Sequence, residues 1–262
     1  MTHHTLHPDL LTTQVNIALV GAGGNGSQML TGLARLHTAM LALGHPAGLH
    51  VTVYDPDRVS ESNVGRQLFS PSDIGQYKSC VLVHRINCYY GLSWEARPHK
   101  FTLPQSHGPH LVDIVVSCVD SVASRREIDR LLKARHTLTP HYWLDMGNRQ
   151  QDGQVIMGHH ISDFQRKRVA DKKATLEGYL PNVMDLFPEL AKGKVKEDTA
   201  PSCSLAESLE KQDLFVNDHV TRWALHLLWT LFRQGRIQHH GYFVNLAEGQ
   251  VNPLPVPEGK GE

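Results

Sequence analysis

Residues 17–27 read IALVGAGGNGS. A β-rich apolar run, Val15 to Val20, meets four glycines, Gly21, Gly23, Gly24 and Gly26. The chain then shows helical spacing from Gln28 to Leu43, with Met29, Leu30, Leu33, Leu36, Met40 and Leu43 apolar. Glycine is costly in ordered backbone, so the cluster needs a reason, and strand–turn–helix context supplies one. In G-x-G-x-x-G the first glycine permits the turn, the second lets backbone approach a phosphate, and the third lets helix pack on strand. The helix N-terminus offers unpaired N–H groups and a positive dipole end to an anion. His50 to Tyr54 (HVTVY) reads as the next strand of a right-handed β-α-β unit. Asp55 follows it as an acceptor for ribose hydroxyls. It lies about 30 residues beyond the loop, where the fingerprint expects roughly 20, and the insertion LALGHPAGLH accounts for the excess. No Gly-Lys-Ser/Thr follows, so the loop is not a Walker A motif. A glycine turn that only packs is the bland alternative.

Working outward, Ile74 to Tyr90 reads as a helix. Leu111 to Cys118 (LVDIVVSC) reads as a buried strand running to Asp120, and Ser121 to about Arg135 as a charged helix. Tyr142–Asp145 and Gln154–Gly158 read as strands joined by GNRQQDG. Residues 162–200 are polar and lysine-rich, as expected of a crossover or lid. Asn217 to Phe232 has the stripe of a core helix, and GYFVNLAEGQVNPLPV reads as a terminal hairpin. The expectation is one α/β domain over residues 1–262. It comprises a Rossmann-like nucleotide-binding core at 15–158, a polar segment at 162–200, and a C-terminal helix and hairpin at 203–256.

Composition narrows the class. The 262 residues hold 26 Lys+Arg against 26 Asp+Glu, a balance that suggests neither nucleic-acid nor membrane-surface binding. No signal core or membrane-length apolar run is present, which reads as a cytoplasmic protein. The four cysteines, Cys80, Cys88, Cys118 and Cys203, form no C-x-x-C pair, so no structural zinc is expected. Cys80, Cys88 and Cys118 read as packing residues. The 18 histidines fit no defensible metal spacing and read mostly as surface residues.

Residues 55–78, DPDRVSESNVGRQLFSPSDIGQYK, separate the cofactors. A nicotinamide-dependent oxidoreductase explains the glycines and Asp55 but leaves Asn63, Arg66 and Lys78 without a task. An enzyme splitting ATP uses them. Arg66 can clamp triphosphate oxygens with its forked guanidinium, and Lys78 adds a second positive charge. Asn63 and Gln67 are neutral donors along the phosphate chain. Asp120 can hold Mg²⁺, which takes one or two carboxylates plus substrate phosphates. Against these stand plainer roles: solvated surface charges for Arg66 and Lys78, and a helix N-cap for Asp120.

The GxGGxG loop, Asp55, Ser62-Asn63-x-x-Arg66-Gln67, Gly75-Gln76-x-Lys78, CVDS at 118–121 and Gly153-Gln154-Val155 together resemble the ThiF/MoeB/E1 family of ATP-dependent activators. The resemblance covers residues 15–158, and more loosely 201–247. Length and the histidine-rich, divergent tail are most similar to the stand-alone ThiF-family member of bacterial PRTRC cassettes. The resemblance implies a Rossmann-like, mostly parallel β-sheet with flanking helices, the ThiF/E1-type adenylation fold, ending in a C-terminal helix plus hairpin. It implies nucleotide contacts from Gly21, Gly23, Gly24, Gly26, Asp55, Asn63, Arg66, Gln67 and Lys78, and magnesium at Asp120. The implied reaction is adenylation of the C-terminal carboxylate of a small ubiquitin-like or sulfur-carrier-like protein ending in glycine, by a homodimer. Cys203, in PSCSLAES, matches the family position that takes the acyl group as a thioester; a buried structural cysteine is the alternative.

The chain also departs from the family. Asp120-Ser121 stands for the usual Asp-Asn, SLAESLEKQDL replaces a GVLGP-like run after the cysteine, and residues 1–34 hold no arginine or lysine. The zinc-holding cysteine pairs of several relatives are absent. These departures keep a non-catalytic ATP-binding scaffold open as a reading.

Overall fold

The computed structural model describes residues 2–103, 112–133, 141–160, 178–192 and 205–258. In chain order the strands are β1 (His4–Thr5), β2 (Val15–Val20), β3 (Leu49–Tyr54), β4 (Glu95–Arg97), β5 (Ile114–Ser117), β6 (His141–Asn148), β7 (Asp152–His160), β8 (Arg236–Ile237), β9 (His239–Asn245) and β10 (Gln250–Pro255). The helices are α1 (Asp9–Thr12), α2 (Gly24–Ala42), α3 (Lys78–Tyr90), α4 (Val122–Lys133), α5 (Val183–Leu186), α6 (Pro188–Lys192), α7 (Leu205–Lys211) and α8 (Val216–Gln234).

The main sheet runs β10-β9-β7-β6-β5-β2-β3-β4. β6, β5, β2, β3 and β4 are parallel, and β7, β9 and β10 extend the sheet antiparallel from β6. This is the expected Rossmann-like α/β fold with its terminal hairpin. β2 is buried on both faces: Val15, Ile17 and Leu19 pack into one core cluster with α2, α3 and α8, while Ala18 and Val20 face a second with Ile128, Leu132, Trp143 and Val183. Near-continuous apolar character follows from covering both faces. The chain leaves β2 toward β3 and β4, then returns to β5 on the other side of β2. Strand order therefore reverses between β2 and β5. Open α/β sheets bind ligands outside the carboxyl ends of the strands at such a switch point.

Several sequence expectations change. The helix expected from Ile74 begins at Lys78, because Pro71–Asp73 forms a separate 3₁₀ turn and Gly75 takes φ +87°. The polar segment is not wholly loop: Leu180, Val183 and Met184 are buried, and Asn182 caps α5 by accepting from the Met184 and Asp185 N–H groups. Cys80 and Cys88 are exposed rather than packed, being on the outer side of α3. Cys118 is half-buried just beyond β5, and burial pushes its thiol well up. Cys203 lies outside the described residues. Three histidines depart from the expected surface placement. His4, His160 and His240 are buried, and His4 Nε2 bonds the Tyr142 hydroxyl at 2.7 Å. His159 stacks on Tyr179 and lies edge-on to His4. Polar side chains at these positions close the seam between β6, β7, β9 and the N-terminal segment.

Candidate functional site

The glycine loop leaves β2 as expected, and each glycine has a distinct neighbour. Gly21 takes φ +93°, and a Cβ there would lie 2.9 Å from the Cys118 carbonyl oxygen on the β5 side of the switch point. A Cβ on Gly26 would lie 1.9 Å from the Gly21 oxygen, so the third glycine is required for the loop to fold back on itself. A Cβ on Gly24 would lie 2.6 Å from the Asn217 side chain. Gly23 is different: its Cβ position meets only the Gln67 amide, at 3.8 Å, an ordinary contact. Gly21 and Gly26 are thus demanded by the backbone turn, and Gly24 by a helix that sequence reading did not bring to the loop.

Asp55 follows β3 and is buried. Its Oδ2 accepts the Ala22 N–H at 2.6 Å and its Oδ1 the Asp57 N–H at 2.8 Å. Burial raises its carboxyl above the ordinary carboxylate range, and the two backbone donors and Lys78 pull against that. The acid pins the glycine loop to the loop after β3 and leaves further lone pairs for ribose hydroxyls.

The stretch 55–78 wraps this end of the sheet. Asn63 is buried in a short 3₁₀ turn, where its Oδ1 accepts the Ser60 N–H at 3.0 Å; its placement is explained by capping. Gln67 is buried against Gly23, and its Oε1 has no partner among the described residues. Arg66 donates from Nη1 to Gln212 Oε1 at 2.6 Å, while its buried Nε has no partner among the described residues. Burial lowers the Arg66 guanidinium from its usual value, and the Asp120 carboxylate nearby opposes the shift. Lys78 opens α3, nearly buried, with its Nζ 3.3 Å from Asp57 Oδ2.

Asp120 is exposed and stands beyond the end of β5, in the turn before α4. Capping falls to its neighbour: Ser121 Oγ accepts the Ser124 N–H at 3.1 Å. The Asp120 carboxylate is therefore spared the N-cap role and lies within electrostatic reach of Arg66. Among the described residues no cluster of three or more His, Cys, Asp or Glu could hold a metal ion. A single exposed carboxylate still suits Mg²⁺ completed by substrate phosphates and water.

Three residues at this end of the sheet, Asn25, Asn217 and Gln212, escaped sequence reading, and a fourth, Asn148, reads from sequence only as shaping a strand-end turn. Asn25 Nδ2 donates to Asn148 Oδ1 at 2.9 Å, tying the loop to the end of β6. Asn217 and Gln212 arrive from the α7–α8 region. Beneath the site, Arg125 Nε contacts both Asp145 oxygens at 3.0 and 3.1 Å. Ser117 Oγ donates to Asp145 Oδ1 at 2.5 Å, and Trp143 Nε1 donates to Ser117 Oγ at 2.7 Å. The only sequence signal for these was polarity inside apolar strands and helices, as in Asp145 after Trp143-Leu144.

A glycine loop at a switch point, a buried acid and two cationic side chains meet at the carboxyl end of a Rossmann-like sheet. The ThiF family profile matches residues 9–228, and the chain belongs to the ThiF family. It is 29% identical over 163 residues to human ubiquitin-like modifier-activating enzyme 6, and 32% identical over 122 residues to the mouse protein. These stretches cover 59% and 44% of this chain but only 15% and 11% of those relatives, so the chain corresponds to a small part of their length. A crystal structure of selenomethionine PaaA shares the fold, with TM-score 0.54 and 13% identity over 94% of this chain and 65% of that one.

Proposed function

We propose that the protein is an E1-like adenylyltransferase that activates the C-terminal carboxylate of a small ubiquitin-like protein ending in glycine. One observation carries the reading. Asn25 Oδ1, Arg66 Nε, Gln67 Oε1 and Asn217 Nδ2 are buried without partners among the described residues; Asn25 belongs to the loop, Gln67 and Asn217 sit against Gly23 and Gly24, and Arg66 adjoins Gln67 in the chain. Buried polar groups are ordinarily paired, so such a concentration suits a polar ligand. ThiF membership and the E1 relatives favour ATP over a nicotinamide dinucleotide.

In this reading the α2 N-terminus and Gly23 receive the phosphates, and Asp55 accepts from the ribose. The substrate carboxylate attacks the α-phosphorus of ATP, acyl adenylate forms, and pyrophosphate leaves. Arg66 and Lys78 neutralise charge gathering on the departing phosphates. Preorganised donors of this kind are worth about 3 kcal/mol each. For Lys78 this means exchanging Asp57 for phosphate; for Arg66 it means keeping Gln212 while presenting the rest of its fork. Asp120 would hold Mg²⁺, which supplies further charge stabilisation on the phosphates. The reading extends to a cytoplasmic homodimer of PRTRC-cassette type, with Cys203 as acyl acceptor.

ATP–pyrophosphate exchange tests it, run with a panel of glycine-terminal ubiquitin-like proteins. Exchange is expected with one partner, and near-complete loss in Asp120→Ala. Exchange that survives Asp120→Ala removes the metal assignment; nicotinamide binding in place of ATP removes the whole reading.

A further inference from the structure

The two longest helices among the described residues lie side by side. Gly24 meets Asn217, Thr221 Oγ1 donates to the Asn25 carbonyl at 3.4 Å, and a Cβ on Gly32 would lie 2.0 Å from Leu225. The step from 24 to 32 on α2 equals the step from 217 to 225 on α8, so the helices run in the same direction and in register. Both N-termini therefore reach the same place, the glycine loop.

Parallel neighbours set two positive dipole ends together, which favours an anion between them. Neither end carries a side-chain cap. Gly23 has no side chain to offer, and Phe215, at the α8 N-cap, supplies none. Asp213 is engaged just outside α8, its Oδ1 accepting the Phe215 N–H at 3.1 Å. Within the first turn of α8 sits Asn217. It is 3% exposed, packed against Gly24, and its amide nitrogen has no partner among the described residues. A neutral amide held there, beside the first turn of α2, is a donor awaiting an acceptor.

We propose that the first turn of α8, with Asn217 as its side-chain donor, forms a second anion-binding half of this site and takes a phosphate oxygen of the bound nucleotide. The inference rests on the nucleotide reading above but concerns a residue and a helix that the glycine-loop motif does not include. It makes the cradle two-sided: α2 approaches the phosphates from the β2 end, and α8 from the helix packed beside it. Asn217 sets how strongly phosphate is held, while the nucleoside is held by other residues.

The test titrates the full-length protein with inorganic pyrophosphate, ATP and adenosine, for wild type, Asn217→Ala and Asn217→Asp. Pyrophosphate and ATP should each bind about tenfold more weakly to Asn217→Ala, the effect of one hydrogen bond to a charged acceptor. Asn217→Asp keeps the side-chain shape and replaces the donor with a negative charge, so its loss should be at least as large. Adenosine, which lacks phosphate, should bind all three proteins alike. Asn217→Asp carries the test if the alanine variant does not fold. Unchanged pyrophosphate and ATP affinity in the variants, or a parallel loss for adenosine, overturns the proposal and leaves Asn217 as packing for Gly24. ATP binding by wild type would then still support the nucleotide reading. Pyrophosphate binding that depends on Asn217, without ATP binding, overturns the nucleotide reading and with it the assignment of Asn217 to a nucleotide phosphate, leaving a bare anion site at α8. A wild type that binds neither anion removes both.

Discussion

In the proposed reading Asp55 serves folding and ligand at once. Its carboxylate holds the Ala22 and Asp57 N–H groups before any nucleotide arrives, so the loop is shaped in advance and less ordering is left for binding. Asp145 is enclosed by protein partners. It is fully buried, with Arg125, Ser117 and, through Ser117, Trp143 around it. Removing one partner of a buried pair strands the other charge, at about 3–5 kcal/mol. Arg125→Met is expected to lower unfolding free energy by that order in urea titrations. Arg125→Met combined with Asp145→Leu should recover most of it, because no isolated charge remains. An Arg125→Met variant as stable as wild type would show the pair to be dispensable. The glycines, Asp55, Arg66 and Lys78 were legible from residue type and spacing. Asn25, Asn217 and Gln212 were not, because an asparagine or glutamine in a helix or turn carries no periodic signal until its neighbours are known.

At the scale of elements, the α2–α8 contact is the closest test of the fold. Gly32 lies mid-helix with no turn or positive φ to explain it; the Leu225 side chain occupies the place of its Cβ. Gly32→Ala would ordinarily gain helix propensity of about 1 kcal/mol. Here overpacking against Leu225 reverses the sign, with a net loss of about 1–3 kcal/mol expected. Leu225→Ala in the same chain should remove the clash and leave a non-additive pair, measurable as a double-mutant cycle. Additive effects would contradict the contact. The strand and helix order was readable because hydrophobic periodicity and punctuation by Gly and Pro act locally. Boundaries moved where short turns intervened, as at Pro71–Asp73 ahead of α3. The buried helix α5 was missed because four residues give too little periodicity to detect.

For the whole molecule, the buried histidines couple stability to pH. Burial, with His4 and His240 nearby, holds His159 down to about 3. His4 and His240 are lowered too, both chiefly by burial. Each ring titrates near 6.5 in an unfolded chain. Above about pH 6.5 both states are neutral at these sites and stability is flat. As pH falls from there, the unfolded chain takes up protons that the folded protein refuses, so stability drops, by up to about 1.4 kcal/mol per pH unit for each such histidine, and for His159 the drop continues toward pH 3. Urea midpoints measured between pH 7 and 5 should fall on acidification, and His159→Asn should flatten the slope. An unchanged slope in that variant would place the linkage elsewhere. No helix among the described residues is long and apolar enough to cross a membrane.

From the sequence alone came the parallel sheet, the glycine loop at the end of its first long strand, and the order of acid, guanidinium and ammonium that follows it. These are local properties: strand and helix periodicity, the backbone freedom of glycine, and charge at fixed spacing. The tertiary structure alone decided which elements converge on that loop. The parallel register of α2 and α8 puts Asn217 on Gly24, and the reversal of strand order brings Asp120 within electrostatic reach of Arg66. Both join residues far apart in the chain, through the way apolar faces bury together, and nothing in the local pattern of either partner specifies the other.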